Sequence, residues 1–423
     1  MKSSTYDVIV VGGGAAGMMA AVTAACGGAR VLLLERNEYT GKKLRLTGKG
    51  RCNVTNDCGP DAVIRNTPNG GKFLYSSLNA FPPSETIAFF EKLGVPLKTE
   101  RGGRVFPESD RAQDIVDALR NALKSAGAEE RRARVRAVTV ENGAVNGVVT
   151  DSGQYHAASV VLCTGGVSYP ATGSTGDGYR IAEQLGHTVV EPKPSLVPLV
   201  EDGDYCARMC GLSLKNVSVS VFDGGKKPVY TEMGELLFTH YGLSGPLTLS
   251  ASAHMRDYTG KKFKFVIDLK PALDEKKLDQ RILRDFEKYA NRDFSNSLGD
   301  LAPRLMIPVL VERSGIPADQ KVNSVTREQR KELVSLFKNF TVSILGPRPI
   351  EEAIITSGGI SLNEINPKTM QSKLIRGLYF AGEIIDADAY TGGFNLQIAW
   401  STAVCAGKSV SRELGGNVWK EEA

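Results

Sequence analysis

Three glycines, Gly12, Gly14 and Gly17, follow the apolar run Val8-Ile9-Val10-Val11. An alanine-rich stretch comes next, then a second apolar run, Val31-Leu32-Leu33-Leu34, which ends on Glu35. This is the layout of a dinucleotide-binding strand–turn–helix–strand unit. Gly12 permits the tight turn, Gly14 lets the backbone approach a pyrophosphate, and Gly17 lets helix and strand pack closely. The free N–H groups at the helix start, around Ala15 and Ala16, bind phosphate oxygens. Glu35 lies 18 residues beyond Gly17, where a carboxylate accepts hydrogen bonds from ribose hydroxyls. A glycine fingerprint alone is a weak signal. Here the strand before it, the helix after it and the acidic strand end agree.

Residues 41–56 are rich in Gly, Lys, Arg and Asn and poor in apolar side chains. Directly after a ribose carboxylate, that composition suits a loop wrapped around a polar ligand, with cations facing phosphates; the alternative is a solvated surface loop. Two further stretches bear on the identity of the dinucleotide. The buried strand Ser159-Val160-Val161-Leu162 runs into Cys163-Thr164-Gly165-Gly166, which resembles the ATG motif of two-dinucleotide flavoproteins. Near the C-terminus a short apolar strand ends on Ala381-Gly382-Glu383, and Thr391-Gly392-Gly393-Phe394-Asn395-Leu396-Gln397 opens an apolar helix. In such flavoproteins this helix start points at the flavin pyrimidine, and its N–H groups stabilise the negative charge of the reduced ring. Both features favour FAD over NAD. No second GxGxxG follows a strand, so any NAD(P)H must dock transiently as electron donor.

Candidate proton donors are few. His240 is one of four histidines and sits in a Gly-flanked segment; histidine is the side chain type best suited to proton transfer near neutral pH. A structural histidine bonded to a carbonyl is the alternative. Tyr390 stands just before the flavin-facing helix, able to donate to a substrate carbonyl, stack on a ring or pack in the core. The seven cysteines are scattered, with no metal-type CxxC pair, so no metal site is expected and free thiols are. Cys206 and Cys210 have the spacing of one helical turn.

These residues need an α/β scaffold to position them. Helices are expected over 84–94, 109–126, 274–290, 303–314 and 326–338. A small antiparallel meander is expected over 134–156. Pro192, Pro194 and Pro198 mark one crossover, and Pro347 and Pro349 mark the return. The predicted organisation is a discontinuous Rossmann-like domain, 1–191 plus 351–423, with an insert at 192–350: β-barrel-like over 192–270 and helical over 271–350. At 423 residues the chain is long enough for two or three domains. A net charge of +5 without a dominant basic block does not point to nucleic acid. No apolar run has the roughly 20 residues of a membrane span. The fingerprint lies so near the N-terminus that no cleavable signal is expected, and a cytoplasmic protein is.

The motifs together resemble the BaiN/YhiN-like flavoprotein family, which includes aminoacetone-oxidase-like proteins. The resemblance runs through Gly12–Gly17, Lys42-Lys43, Thr47-Gly48-Lys49-Gly50-Arg51-Cys52-Asn53, Thr164-Gly165-Gly166, Tyr169-Pro170 and Gly173–Tyr179. It continues through Gly234–His240, Gly245-Pro246, Thr356–Gly359, Gly382-Glu383 and Thr391–Gln397, and so spans essentially the whole chain. Ala389 and Ala403 depart from it where glycine is common. The resemblance implies a FAD-binding Rossmann-like domain of the two-dinucleotide-binding-flavoprotein type, with inserted β-barrel and helical subdomains. It implies that Ala15, Ala16, Glu35 and Arg36 hold the pyrophosphate and adenosine ribose. Lys42, Lys43, Arg51, Cys52 and Asn53 would line the FAD, and the Val135 backbone would meet the adenine. Glu383, Asn395 and Leu396 would sit near the ribityl chain and flavin ring. Two activities follow from the resemblance. One is NAD(P)H-dependent reduction of an enone of the 3-oxo bile-acid or steroid type. The other is oxidation of small amino-ketones by oxygen. A third, non-catalytic reading is a FAD-binding module associated with RNA modification. The partner expected is a small-molecule substrate, with no membrane and no nucleic acid.

Overall fold

The computed structural model describes residues 5–255, 258 and 260–415. The chain divides into two compact units, Met1–Ser195 with Ile350–Ala423, and Leu196–Pro349.

The first unit is built on β1 (Thr5–Val11), α1 (Ala15–Cys26) and β2 (Val31–Glu35). Val8 to Val10 and Leu32 to Leu33 are fully buried, as continuous apolar runs must be in a sheet covered on both faces. Each such side chain contributes about 1.5–3 kcal/mol on burial. The chain then forms β3 (Thr55–Asn56), α2 (Pro60–Arg65), α3 (Tyr75–Ala80) and α4 (Pro83–Lys92). The hairpin β4 (Leu97–Glu100) and β5 (Arg104–Pro107) joins β3 in a three-stranded sheet. Helix α5 (Ala112–Ser125) leads to β6 (Glu129–Arg132), β7 (Val135–Glu141), β8 (Ala144–Thr150) and β9 (Gly153–Leu162).

The main sheet has the order β6-β2-β1-β9-β8-β7. Strand β9 does two jobs. Its first half closes the antiparallel meander with β8, and it runs parallel to β1 from His156 to Leu162. Reading the sequence as separate strands at 154–156 and 159–162 missed this continuity, because the side-chain pattern switches from one-face to two-face burial along a single strand. Helix α6 (Asp177–Gln184) follows the loop after β9, and β10 (Val189–Ser195) leaves the unit.

The second unit opens with β11 (Leu199–Glu201), α7 (Tyr205–Arg208), β12 (Ser213–Phe222), β13 (Tyr230–Thr239), β14 (Gly242–Ser244) and α8 (Pro246–Ser252). It continues with β15 (Phe263–Asp268), α9 (Glu275–Lys288), α10 (Ile307–Ser314), α11 (Arg327–Lys338) and β16 (Phe340–Pro347). Strands β11-β14-β13-β12-β15-β16 form a closed barrel. This corrects the split of the insert at 270: the last barrel strand lies beyond the helices, where β16 pairs with both β15 and β11. Without it, those two strands would be open edges. The boundary at 191 also moves, because β10 runs on to Ser195 and pairs with β17 (Ile355–Ile360) of the first unit. The first unit ends with β18 (Leu378–Phe380), parallel to β9, and α12 (Phe394–Glu413). Among the described residues, no helix is long and apolar enough to cross a membrane.

Candidate cofactor site

The glycine turn occupies the C-terminal end of β1. A Cβ on Gly12, whose φ is +101°, would lie 2.5 Å from the Cys163 carbonyl oxygen, and one on Gly17 would overlap the Gly12 carbonyl. Both positions therefore exclude a side chain for packing reasons. Gly14 differs: a Cβ there meets nothing within 4 Å, and its φ of −81° suits any residue. Open space lies where the backbone would meet a pyrophosphate. Helix α1 starts at that space with no side-chain cap and no acidic residue in its first turn. Its first-turn N–H groups and positive dipole end suit an anion. Ala15 is half-buried and Ala16 buried.

The Glu35 carboxylate folds back onto this turn. It accepts from the Gly13 N–H at 2.7 Å and, through its other oxygen, from the Asn37 N–H and amide at 2.7 Å each. The oxygen bonded to Asn37 already accepts twice, and the one bonded to Gly13 keeps a second lone pair, so capacity for one ribose hydroxyl remains there. Arg36 donates to Thr175 Oγ1 at 2.6 Å and pairs with Asp177. Val135 is buried at the start of β7, opposite Thr150.

The cationic loop makes 3-10 turns over Leu44–Gly50, broken by a kink at Thr47, Gly48 and Lys49, and leads into β3. Lys42 Nζ donates to the Ala171 carbonyl at 2.7 Å. Lys43 Nζ bridges Ser168 Oγ at 2.8 Å and Glu383 Oε2 at 2.6 Å. Glu383 Oε1 accepts from the Thr356 N–H at 2.8 Å and from Ser168 Oγ at 3.1 Å. Lys43, Ser168, Thr356 and Glu383 thus form one cluster drawn from four segments, with Ser168 and Thr356 buried and the Lys43–Glu383 pair half-buried. Arg51 instead engages the β4–β5 hairpin, pairing with Glu100 and Asp110 and lying 4.1 Å from the Phe106 ring centroid. Cys52 is fully buried, and burial pushes its thiol up to about 12. Cys206 is buried too, whereas Cys210 lies past the end of the four-residue α7 and is exposed, so the pair does not share a helix face.

The C-terminal strand end meets the N-terminal helix. The Gly382 N–H donates to Thr402 Oγ1 at 3.0 Å, and a Cβ on Gly382 would stand 2.6 Å from that of Ala16. Thr164, Gly165 and Gly166 follow β9 on the other side. Thr164 Oγ1 is buried without a hydrogen-bond partner among the described residues, and a Cβ on Gly166 would collide with Thr356 Oγ1. Helix α12 starts at Gly393, whose φ is +96°, with no acidic residue in its first turn. With its amide turned to satisfy its neighbours, Asn53 accepts from the Gly393 N–H at 2.9 Å. Asn395 ties down the preceding loop through the Ala389 N–H (2.9 Å) and carbonyl (2.8 Å). Phe394 is buried; Leu396 and Tyr390 are half-buried. The Tyr390 N–H donates to the Asn66 carbonyl at 2.9 Å.

Two buried side chains lock α12 to the cationic loop. Trp400 Nε1 donates to the Val54 carbonyl at 2.9 Å, and Gln397 Oε1 accepts from Thr55 Oγ1 at 2.5 Å and Thr86 Oγ1 at 2.8 Å. Reading the sequence missed Ser168, Trp400 and Asp177 as supports of the site. Ser168 and Trp400 stand beside quoted motifs and Asp177 inside one, but their partners lie far along the chain. His240 lies in the second unit, exposed in the turn between β13 and β14, its ring against Tyr241 at 4.8 Å.

The first unit therefore brings together an uncapped helix start beside open space, a ribose-type carboxylate, a lysine–glutamate cluster and a second helix start. This donor set fits a dinucleotide with a ring system at its far end. A family model described as the HI0933-like protein Rossmann domain matches residues 6–409. The 3-dehydro-bile acid delta(4,6)-reductase of Clostridium scindens is 30% identical over 388 residues, covering 91% of this chain and 93% of that protein. The ribosomal RNA dihydrouridine synthase of Escherichia coli is 31% identical over 389 residues, covering 90% and 92%. Among solved structures, the 3-ketosteroid delta1-dehydrogenase of Sterolibacterium denitrificans shares the fold. Its TM-score is 0.54 at 14% identity, with 97% of this chain and 100% of that one covered.

Proposed function

Because this chain belongs to the HI0933-like Rossmann-domain family and is a FAD-dependent oxidoreductase, we propose that it reduces a carbon–carbon double bond conjugated with a carbonyl, drawing its electrons from NAD(P)H. Bound FAD supplies hydride exchange at the flavin N5. The Gly14 space and the α1 N-terminus take the pyrophosphate. Lys43 and Glu383 fix the ribityl side, and the start of α12 stabilises negative charge at the pyrimidine edge. NAD(P)H docks transiently, since one dinucleotide fingerprint is present.

The observation that carries this reading is chemical. A delta(4,6) double-bond system in a 3-oxo bile acid is conjugated with its carbonyl. The C5–C6 double bond of uridine, whose saturation gives dihydrouridine, is conjugated with the C4 carbonyl. The two relatives, 30% and 31% identical to this chain, thus act on one functional group. Delivering hydride to the β-carbon leaves an enolate, and an acid then protonates the α-carbon. Tyr390, in the same unit as these groups, is proposed to hold the carbonyl and supply that proton; His240 stands in the other unit.

A 3-oxo steroid-type enone is the leading substrate class. The E. coli relative supports a second reading, in which the same chemistry acts on a uracil ring of ribosomal RNA. Incubation with NADH or NADPH and either a 3-oxo-4,6-diene bile acid or unmodified ribosomal RNA separates the two. The product that gains two hydrogens, read by mass spectrometry, names the class. If neither substrate is reduced while an amino-ketone is consumed with oxygen, the protein is an oxidase and the proposal fails.

A further inference from the structure

Asp177 opens α6 and gathers arginines from three elements. Its carboxylate accepts from Arg134 Nε at 2.9 Å and Nη2 at 2.8 Å, and from Arg36 Nη1 at 3.1 Å. Arg180, one turn along α6, lies 3.7 Å away. The Asp177 side chain is 17% exposed. Burial alone would push its carboxyl up, but the Arg134 hydrogen bonds and the charges of Arg134, Arg36 and Arg180 outweigh that and hold it below the usual range.

The placement of these arginines matters. Arg36 directly follows the ribose-type Glu35, and Arg134 directly precedes Val135. They leave neighbouring strand ends, since β2 and β6 pair with Glu35 opposite Arg132. Asp177 comes from the other side, on the segment that follows β9. Strand β1 lies between β2 and β9, so a link between the segments after β2 and after β9 must span the C-terminal end of β1. That is where the Gly12–Gly17 turn sits. Three more bonds run along the same line: Asn37 Nδ2 to the Thr172 carbonyl at 2.9 Å, Lys42 to Ala171 and Lys43 to Ser168.

We propose that Asp177 is a positioning residue of the cofactor site, which holds the Arg36 and Arg134 guanidinium groups as fixed walls for the adenosine half of FAD. The inference rests on the FAD assignment of the site. A guanidinium is planar and stacks on aromatic faces; the two-point pair with Asp177 fixes the Arg134 plane, and Arg36 is held through Nη1 by Asp177 and Thr175 Oγ1. Held in advance, two long side chains lose little freedom when the adenine arrives.

A rival role for Asp177 predicts the opposite sign. If the carboxylate merely dilutes positive charge, Asp177→Asn leaves three arginines uncompensated, and the site attracts a diphosphate more strongly. If it positions the arginines, Asp177→Asn binds more weakly despite the added positive charge.

The test titrates ADP into the full-length protein freed of flavin, using calorimetry, for wild type, Asp177→Asn, Asp177→Glu, Arg134→Gln and the Asp177→Asn/Arg134→Gln double variant. Asp177→Asn weakens ADP binding about tenfold or more, and Asp177→Glu recovers part of the loss. Asp177→Asn costs far less when Arg134 is already Gln. The visible spectrum and potential of bound FAD stay unchanged, because Asp177 serves the adenosine end. Unchanged or tighter ADP binding in Asp177→Asn overturns the proposal, as do independent effects of the two substitutions. If Asp177→Asn does not fold, Arg134→Gln decides: a loss of about tenfold supports the proposal and unchanged affinity overturns it. A wild-type protein that takes up neither ADP nor FAD refutes the cofactor assignment itself.

Discussion

Gly14→Val separates binding from folding more cleanly than any other single change in the fingerprint. A Cβ at Gly14 meets nothing within 4 Å, and its φ of −81° and ψ of −168° are open to a β-branched residue. Valine is a poorer N-cap than glycine by up to about 1 kcal/mol, and it reduces the entropy of the unfolded chain by about 0.4–1 kcal/mol. The two nearly cancel, so the variant melts close to wild type. Its side chain fills the space in which phosphate oxygens meet the first-turn N–H groups of α1. Loss of two charge-assisted hydrogen bonds, at about 1.5–3 kcal/mol each, weakens FAD binding by roughly 10² to 10⁴-fold. The assay pairs a thermal melt of the flavin-free protein with a fluorescence titration of FAD. Gly17→Ala is the contrasting control: its methyl would overlap the Gly12 carbonyl, so it fails to fold rather than merely failing to bind. A Gly14→Val protein that folds and retains wild-type FAD affinity refutes the placement of the pyrophosphate.

Cys52 is fully buried with its thiol pushed up to about 12. Iodoacetamide at mildly alkaline pH therefore labels exposed Cys210 and spares Cys52 in the folded protein, as read by peptide mapping; equal labelling contradicts its burial. Gln397→Leu conserves volume but leaves the buried Thr55 and Thr86 hydroxyls without their shared acceptor. It lowers unfolding free energy by about 1–3 kcal/mol in urea titrations, and a loss under about 0.5 kcal/mol counts against the α12 lock. Burial holds the pKa of His187 below its ordinary 6.5, so the unfolded chain binds the proton more readily. Its stabilising contribution is complete above 6.5 and fades as pH falls toward the lower folded value. The melting temperature of wild type accordingly drops more than that of His187→Gln between neutral and mildly acidic pH; identical slopes contradict this.

The parallel core and its glycine turn were legible because their signals are local. Val8–Val11 and Val31–Leu34 are continuous apolar runs, and the glycines exclude side chains for reasons within a few residues of themselves. The pairing of both chain ends into one site was legible through the Thr164–Gly166 and Gly382–Glu383 strand ends. Closure of the barrel was not, because β16 finds β15 across three helices and β11 from further back still. Glu35 reads as a ribose ligand in sequence, yet three of its acceptor positions serve the Gly13 N–H and the Asn37 N–H and amide. Arg51 reads as a phosphate contact, yet Glu100 and Asp110 claim it. Asp177 reads as an ordinary residue after a glycine-rich loop, since Arg36 and Arg134 reach it from far along the chain.

Hydride transfer from the reduced flavin to a conjugated double bond is the reaction proposed for this flavoprotein. Its most direct test reduces the FAD-loaded protein anaerobically with one equivalent of NADPH or NADH, then adds the 3-oxo-4,6-diene bile acid or the uridine-containing ribosomal RNA without oxygen. On the proposed reaction, the oxidised flavin band returns at a rate set by the concentration of one of these substrates, with matching loss of its double bond. A flavin that stays reduced with both and reoxidises only when oxygen is admitted contradicts it.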